Sequence, residues 1–231
     1  TEFIQALDDP SLSIFIRVQQ CLKGQPTQFY ELHLQGASHI QEELVVLGKK
    51  LLFNISPTSF FQPHTKQAEQ LYTKALQSVA LSSESVVFDL YCGMATLGIA
   101  CAPHVKQVIG IELNPHAVYD GRENARLNGI ENITLLCGDV GRLLPSLGYI
   151  KPDLVIIDPP RAGLEKEALG HLVALSAKQI LYISCNPRTQ QQNILDLKNQ
   201  GYSLISLQPV DQFPHTDHIE SIGLLTRLDP Y

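Results

Sequence analysis

The fold of this chain is decided at residues 86–98, which read VVFDLYCGMATLG. The run begins with apolar residues from Val86 to Phe88, and a turn that contains Gly93 follows them. Similar short apolar runs recur at residues 108–111, 133–136, 154–157 and 180–183. Such runs are typical of strands that are buried on both faces of a parallel sheet.

Segments with a helical pattern alternate with these runs. Apolar residues at helical spacing predict a helix within residues 68–79. A second helix is marked by Asn114 as its N-cap, Pro115 at its first position and Gly129 after its end. A later helix is expected to end at Gly201. The alternation predicts an α/β protein with an open, doubly wound Rossmann-like sheet that is mostly parallel.

The two ends of the chain have a strand pattern instead. Alternating residues between 12 and 54, with turns at Lys23-Gly24 and Gly48-Lys49-Lys50, predict a small antiparallel sheet beside the main domain. Residues 202–228 lack a helical pattern and are expected to add two antiparallel strands. We therefore expect a small, incomplete β-rich subdomain at residues 1–56 and an α/β domain at residues 57–231.

The composition excludes several classes of protein. The 231 residues are 44% hydrophobic and 17% charged, without the long apolar run that a membrane span needs. The odd number of cysteines, five, predicts a reducing cytoplasm rather than a disulfide framework, and no pair of them has the spacing of zinc ligands. No secretory signal is visible in residues 1–10, which contain three acidic side chains.

The net charge of −6 constrains the partner. Nucleic-acid binding normally leaves a basic footprint. The charge therefore predicts one of three arrangements: a substrate other than RNA, a small basic cleft on an acidic body, or a separate segment that supplies the affinity for RNA.

The turn after the first predicted strand indicates a cofactor site. Glu112 ends the second strand, 23 residues after Asp89, where a carboxylate accepts hydrogen bonds from ribose hydroxyls. Ala95 replaces the middle glycine of a dinucleotide-binding turn, which favours a cofactor without phosphate, such as S-adenosylmethionine. Asp139, after the third strand, either meets the adenine edge or caps the following turn.

Two further strand ends carry candidate catalytic groups. The fourth strand runs into Asp158-Pro159-Pro160-Arg161, either a rigid charged turn at the site or an ion pair that caps the loop. The next strand is followed by Cys185, which is either a nucleophile or a buried small hydrophobe. We interpret the other four cysteines as buried hydrophobes, although Cys92 adjoins the turn of the cofactor site.

The chemistry of uracil gives such a cysteine a role. Uracil C5 is a poor nucleophile, and a thiolate that adds to C6 produces an enolate whose C5 can take a methyl group. A base must then remove the C5 proton. Glu220 is the candidate base, with His215 or His218 orienting it, and the alternative is a surface charge on an edge strand.

Together these segments resemble the class I S-adenosylmethionine-dependent RNA (uracil-5-)-methyltransferase family over residues 56–228. The resemblance rests on six motifs in the same order: Ser59-Phe60-Phe61-Gln62, Asp89-Leu90-Tyr91-Cys92-Gly93, Asn124-Ala125-Arg126-Leu127-Asn128-Gly129, Asp158-Pro159-Pro160-Arg161, Ser184-Cys185-Asn186-Pro187, and Phe213-Pro214-His215-Thr216 with His218 and Glu220. The last motif is more similar to the ribosomal-RNA branch than to the transfer-RNA branch, which implies 23S ribosomal RNA as the substrate.

The resemblance assigns roles to particular residues. It implies that Cys185 is the nucleophile, that Glu220 is the base, and that Asp158 and Arg161 complete the catalytic group, with Arg161 holding the uracil or a phosphate. Phe60 would stack on the target base, which must leave the RNA stack to be reached. The S-adenosylmethionine site would be formed by Gln62, Tyr91, Gly93, Thr96, Glu112, Asp139 and Asp158.

The chain also departs from the family. Ala95 stands where the family usually has glycine. Many members carry an N-terminal oligonucleotide-binding barrel and a four-cysteine iron–sulfur site, whereas only Cys21 precedes Tyr91 here. An iron–sulfur cluster would therefore be confined to residues N-terminal to Thr1. We expect a cytoplasmic monomer that acts on RNA and does not bind a membrane.

Three alternatives remain. Asp158-Pro159-Pro160 is similar to the turn of amino-group methyltransferases, although Arg161 replaces their aromatic residue and their chemistry needs no cysteine. A non-catalytic RNA- or partner-binding module would have little reason to keep both Cys185 and Glu220. A nicotinamide-dependent dehydrogenase is disfavoured by Ala95 in the glycine turn.

Overall fold

The computed structural model describes residues 9, 11–23 and 28–228. Two antiparallel hairpins come first, β1 (Ile14–Gln20) with β2 (Gln28–Gln35) and β3 (Ile40–Val46) with β4 (Lys49–Ile55). They form two separate two-stranded sheets, where the sequence predicted one. The turn of the second hairpin is at Leu47 and Gly48, both with positive φ. Gly24 of the other predicted turn lies outside the described residues.

The main sheet has seven strands and follows the predicted alternation. In chain order the elements are α1 (Thr65–Gln77), β5 (Val86–Leu90), α2 (Thr96–Cys101), β6 (Gln107–Glu112), α3 (Pro115–Leu127), β7 (Ile133–Cys137), α4 (Val140–Leu143), β8 (Leu154–Ile157), α5 (Lys166–Leu175), β9 (Gln179–Ser184), α6 (Pro187–Asn199), β10 (Tyr202–Val210) and β11 (Glu220–Arg227). Short 3₁₀ turns follow α2 and α4.

The strand order is β10-β11-β9-β8-β5-β6-β7. The strands from β5 to β9 are parallel, and β11 is inserted antiparallel between β9 and β10. The chain leaves β5 toward β6 on one side and later returns to β8 on the other side. The adjacent carboxyl ends of β5 and β8 therefore form a topological switch point, which is where ligands of such sheets bind. The predicted α/β fold with antiparallel C-terminal strands is confirmed.

Local sequence explains the ends of the helices. Asn114 accepts a hydrogen bond from the His116 N–H at 3.0 Å and caps α3, with Pro115 at its first position. Gly129 follows the end of α3 with φ 66°. Gly201 follows α6 with φ 91°. Both glycines adopt the left-handed backbone that commonly ends a helix.

Alternate residues of the buried strands fill two cores on the two faces of the sheet. In β5 and β8, Val87 and Ile156 belong to one core, while Phe88 and Val155 belong to the other. Burial on both faces explains why these strands are continuous apolar runs. Within the described part of the chain, no helix combines the length and apolar character that crossing a membrane requires.

The hairpin β3–β4 packs into one of these cores. Leu44, Leu51 and Phe53 are fully buried and pack in the same cluster as Leu71 of α1. The free edge of β4 meets α3 through two asparagines one helical turn apart. The Asn124 side chain bonds both the N–H and the C=O of Asn54, at 2.8 and 3.0 Å.

Asn128 repeats this arrangement one turn later. Its side chain accepts from the N–H of Leu52 at 2.9 Å and donates to the Leu52 C=O at 2.7 Å. The two asparagines therefore replace a neighbouring strand along the edge of β4, where unpaired backbone groups would otherwise be costly.

Replacing Asn124 by Ala is expected to lower the free energy of unfolding by about 1–3 kcal/mol, because the part-buried N–H and C=O of Asn54 lose their partners. The measurement is urea denaturation followed by circular dichroism. Asn199→Ala makes the same chemical change at an exposed helix end and is expected to change stability by less than about 0.5 kcal/mol. Equal effects of the two substitutions would contradict the role of Asn124.

Candidate active site

A cavity of about 550 Å³ opens at the carboxyl ends of the parallel strands. It lies at the topological switch point, since residues that follow β5 and β8 line it. The residues that the sequence predicted for the site contribute to its lining, apart from Arg161 and the histidines His215 and His218: Phe60, Gln62, Tyr91, Gly93, Thr96, Glu112, Asp139, Asp158, Cys185 and Glu220. Residues from distant parts of the chain are thus brought to one place.

The turn after β5 is held by two carboxylates. Glu112 at the end of β6 accepts a hydrogen bond from the Gly93 N–H at 2.9 Å and another from the Asn114 N–H at 2.8 Å. Asp89 accepts from the N–H of Gly98 in α2 at 2.9 Å. Ala95 has the left-handed φ of 61°, in which a side chain costs about 1 kcal/mol. The turn therefore keeps a strained shape without the usual glycine.

Acceptor groups dominate the part of the cavity that Glu112 and Asp139 line. Asp139 caps α4 by accepting from the Arg142 N–H at 3.0 Å and also lines the cavity, so that the two predicted roles of this residue are compatible. Gln62 is buried, and its side-chain oxygen has no hydrogen-bond partner. Such acceptors fit a cofactor with hydroxyl and amino groups, and they do not favour phosphate.

The opposite part of the cavity contains Cys185, Asp158 and Glu220. Ser221 of β11 pairs with Ser184 of β9, so the preceding residue, Glu220, comes level with Cys185 at the end of the sheet. Asp158 follows β8, the parallel neighbour of β9. Glu220 is only 4% exposed, and β11 is an interior strand. The alternative of a surface charge on an edge strand is therefore wrong.

Burial changes the acidity of these groups. It raises the pKa of Asp158 to about 8, with further contributions from the charges of Glu220 and Asp89. Burial also raises the pKa of Asp89 to about 7, although the Gly98 N–H opposes the shift. The pKa of Glu220 is raised by burial and lowered in part by Arg161. Several carboxyl groups thus compete for protons in a small volume.

Cys185 is half-buried, and its pKa is raised by burial and by the charges of Glu220 and Asp158, while Arg161 opposes the shift. Neutralising either carboxylate would therefore make the thiolate easier to form. The cysteine and the two acids can exchange protons with a bound substrate, while the Arg161 guanidinium stays positively charged beside them.

Arg161, the predicted partner of the catalytic group, does not line the cavity. It is exposed and has no ion pair with Asp158, so the alternative of a loop-capping ion pair is also wrong. Its carbonyl accepts hydrogen bonds from the side chains of Asn186 at 3.0 Å and Thr189 at 3.2 Å. The N-terminal end of α6 thereby holds the Arg161 loop beside Cys185.

Two other interpretations need correction. His215 and His218 are exposed, and no hydrogen bond in the described part of the chain joins either to Glu220. Cys21 and Cys137 are exposed, so only Cys101 among the remaining cysteines is a fully buried hydrophobe. Burial and the charges of Asp89 and Glu112 raise the pKa of Cys92 well above its ordinary value, which keeps it as a thiol.

The cavity also contains residues that the sequence did not single out for the site. Asp89, Tyr72 and Glu165 line it. The sequence did contain a signal for Asp89, because an acidic residue within an otherwise apolar strand indicates a functional role. Tyr72 follows the apolar pattern of α1, and its pKa is raised by burial and by the charges of Asp158, Glu220 and Asp89. Nothing in the helical pattern distinguished it from a core residue.

Comparison with solved structures defines the class. Precorrin-6y C5,15-methyltransferase from Geobacter metallireducens has the same fold, with a TM-score of 0.60, 18% identity, and coverage of 69% of this chain and 89% of that chain. A tRNA (uracil-54, C5)-methyltransferase from Pyrococcus abyssi, solved with S-adenosyl-L-homocysteine, has a TM-score of 0.71 and 30% identity over 86% of this chain and 46% of that chain. The fold is therefore that of the Rossmann-like methyltransferases.

Sequence comparison narrows the assignment. The pattern of the tRNA (Uracil-5-)-methyltransferase family matches residues 30–138 and 146–228, and the chain belongs to this family. An uncharacterized RNA methyltransferase of Protochlamydia amoebophila is 51% identical over 94% of this chain and 51% of its own length. An uncharacterized RNA methyltransferase of Chlamydia trachomatis is 41% identical over 98% of this chain and 58% of its own length. The chain spans about half the length of the curated relatives it matches.

The raised pKa of Asp158 predicts a pH-dependent stability. The carboxyl keeps its proton in the folded chain up to about pH 8 but ionises near 3.8 when unfolded. Rising pH therefore favours unfolding between these values. Asp158→Asn is expected to remove this contribution, so that the variant exceeds the wild type in unfolding free energy by at least about 1 kcal/mol at pH 8 and by less at pH 5.

Urea denaturation at a series of pH values measures this difference. Asp153→Asn is the matched control with the opposite sign. Burial raises the pKa of Asp153, but the Lys178 ion pair and the Val86 N–H outweigh it and lower that pKa. Asp153→Asn should therefore lose stability at neutral pH. If the difference in unfolding free energy between Asp158→Asn and the wild type did not grow with pH, the raised pKa of Asp158 would be contradicted.

Proposed function

We propose that this protein transfers a methyl group from S-adenosylmethionine to C5 of a uridine in RNA. The observation that carries the proposal is the juxtaposition of Cys185 and Glu220 at one end of a cavity whose other end presents Glu112 and Asp139. A reaction that needs a nucleophile, a base and an adenosine-type cofactor would use both halves of this cavity at once.

The acceptor-lined half is suited to the cofactor. Glu112 would accept hydrogen bonds from the ribose hydroxyls. Asp139 uses one carboxylate oxygen to cap α4, and its other oxygen would accept a hydrogen bond from the adenine amino group. Gln62 would use its unpartnered side-chain oxygen to accept a hydrogen bond from the amino-acid part of S-adenosylmethionine. Tyr91, Gly93, Thr96 and Asp158 complete the proposed binding set. When bound, the cofactor supplies an electrophilic methyl group on a positively charged sulfur.

The reaction half would act in three steps. The Cys185 thiolate adds to C6 of uracil, and the electron pair moves to the O4 enolate, which makes C5 nucleophilic. After C5 has gained the methyl group, Glu220 takes the remaining C5 proton. The electron pair of that C–H bond re-forms the C5–C6 double bond and expels the sulfur of Cys185. Atoms and charge balance, and the cysteine is restored.

The surrounding residues would support these steps. Arg161, whose charge lowers the pKa of both Cys185 and Glu220, would favour the thiolate and hold the uracil or a phosphate. Asp158 would hold or release a proton beside the reacting cysteine. Phe60 is 71% exposed at the mouth of the cavity, where an extruded base can stack on its ring.

The expected substrate is 23S ribosomal RNA, supported by the Phe213-Pro214-His215-Thr216 run. We also propose that residues 1–56 form a small, incomplete β-rich subdomain whose β3–β4 hairpin packs on the α/β domain, that residues 57–231 carry the chemistry, and that the protein is a monomer. Segments of the longer relatives beyond the matched region would add affinity for RNA to this acidic chain.

Trapping with 5-fluorouridine tests the covalent step. Fluorine cannot leave as a proton, so the reaction is expected to stop with the RNA joined to Cys185. The chain would be incubated with S-adenosylmethionine and a 23S transcript that contains 5-fluorouridine, then run on a denaturing gel. We expect a shifted band with the wild type and with Cys21→Ala, and none with Cys185→Ala.

Each other outcome has a definite meaning. A band with a transfer-RNA transcript instead of the 23S transcript would keep the chemistry and replace the substrate. Methylation of an amino group that survives Cys185→Ala would support an amino-group methyltransferase. Cofactor binding by calorimetry and RNA binding by gel shift, without a covalent band in either transcript, would contradict the proposed uridine chemistry.

Replacing Glu220 by Gln tests the base. The variant is expected to add to uracil and accept the methyl group but to release the product at least about 100-fold more slowly, because no carboxylate removes the C5 proton. A protein–RNA band that carries radioactive methyl should accumulate on ordinary, unfluorinated RNA. Glu167→Gln, at an exposed position of α5, is the control and should turn over normally. Normal turnover by Glu220→Gln would assign the base elsewhere.

A further inference from the structure

A second cavity of about 740 Å³ lies between the β1–β2 hairpin and the α/β body. Phe15 and Phe29 of the hairpin and His116 and Tyr119 of α3 all contribute to its lining. Its volume is within the range of pockets that bind small molecules or single residues of a polymer. None of the steps proposed above uses it.

One stretch of chain separates the two cavities. Ser56, Pro57 and Thr58 line the second cavity, whereas residues 60–62 line the first. Thr58 and Phe60 are two residues apart, which is about 7 Å at full extension. A strand of RNA whose target base stacks on Phe60 would therefore reach the second cavity with its neighbouring nucleotides.

The separating stretch is anchored to both sides. The Asp120 carboxylate of α3 accepts hydrogen bonds from the Ser56 N–H at 3.1 Å, the Ser56 hydroxyl at 2.6 Å and the Ser59 hydroxyl at 2.7 Å. The Arg17 guanidinium of β1 donates to the Pro57 carbonyl. The wall is therefore a fixed element that couples the hairpin, α3 and the loop that carries Phe60.

Aromatic rings that line the second cavity face solvent. Phe29 is 56% exposed and Tyr119 is 64% exposed. Phe15 is stacked on His33, with ring centroids 4.7 Å apart. Exposed rings that two different elements contribute to one cavity can hold unpaired nucleic-acid bases by stacking.

The charges of the second cavity favour a base over a phosphate. Among its described lining residues there is no lysine or arginine, and Arg17, whose guanidinium lies 6.0 Å from the centroid of the Phe29 ring, is already bound by Glu31 and the Pro57 carbonyl. Its three carboxylates already have partners: Glu31 pairs with Arg17, Glu123 pairs with Arg126, and Asp120 binds the serines. What remains for a ligand is mainly the aromatic surface together with neutral side chains such as Asn54 and Ser38.

From this geometry we propose that the second cavity binds the base of an unpaired nucleotide that flanks the target uridine in the same RNA. Phe29 and Tyr119 supply the stacking surfaces. The identification of the ligand as RNA rests on the proposed function. Binding of this kind also suits the acidic chain, because stacking does not require a basic surface.

The test uses a short fluorescein-labelled RNA in which a single uridine is flanked by unpaired adenosines. Fluorescence anisotropy measures its Kd at several salt concentrations. Tyr119→Ala is expected to weaken binding by about 5-fold to about 100-fold, the effect of losing one stacked base. The slope of log Kd against log salt should not change, because no phosphate contact is lost.

Two protein controls accompany the variant. Tyr119→Phe keeps the ring and should bind as the wild type does. Tyr149→Ala removes a ring that is 81% exposed and lines neither cavity, and it should leave Kd unchanged. Thermal unfolding of each variant separates a loss of the fold from a loss of stacking.

A second RNA, with abasic sites in place of the flanking adenosines, completes a double-mutant cycle. Wild type and Tyr119→Ala should bind this RNA equally. The inference is overturned if Tyr119→Ala binds the first RNA normally, if Tyr149→Ala is equally impaired, if the abasic RNA keeps the full Tyr119 effect, or if the wild type binds neither RNA.

The covalent trap distinguishes this inference from the proposed function. A Tyr119-dependent Kd without any 5-fluorouridine adduct would support the second cavity as an RNA site and reject the uridine chemistry. An adduct that forms with full affinity in Tyr119→Ala would support the chemistry and reject the second cavity.

Discussion

The hydrogen-bonded ladder between β9 and β11 is the constraint on which the site depends. Its register pairs Ser184 with Ser221 and thereby places Glu220 level with Cys185. Gln190 of α6 secures the same two strands, since its side chain donates to the carbonyls of Tyr182 and Ser221. A slip of one residue would turn Glu220 to the other face of the sheet, because side chains alternate along a strand. The two groups would then no longer share a cavity.

The site is maintained at the expense of stability. Asp89, Asp158 and Glu220 are buried, and burial raises the pKa of all three, while nearby like charges raise the pKa of Asp158 and Asp89 further. A core designed for stability alone would replace such groups by apolar ones. Perturbed acids gathered in a cleft are instead typical of functional sites. A positively charged ligand in the same cavity would relieve the repulsion.

The β3–β4 hairpin and the loop that follows it are held in place by α3. Asn124 of α3 and Asn128, directly after its end, pair with the edge of β4, and Asp120, one turn before Asn124, holds Ser56 at the end of that strand. The loop with Phe60 therefore starts from a position that is fixed by a single helix. This helix face connects the predicted β-rich region with the candidate active site, and it also forms one side of the second cavity.

The sequence by itself determined the strands, the main helices and the residues of the candidate site, because short apolar runs, caps and motifs are local patterns. It missed Tyr72, misjudged the exposure of Cys21 and Cys137, and left open whether Glu220 was a surface charge. The division into two hairpin sheets, the position of Arg161 outside the cavity and the second cavity were decided only by the tertiary structure. Each depends on which distant segments pack together, and a local pattern does not contain that information.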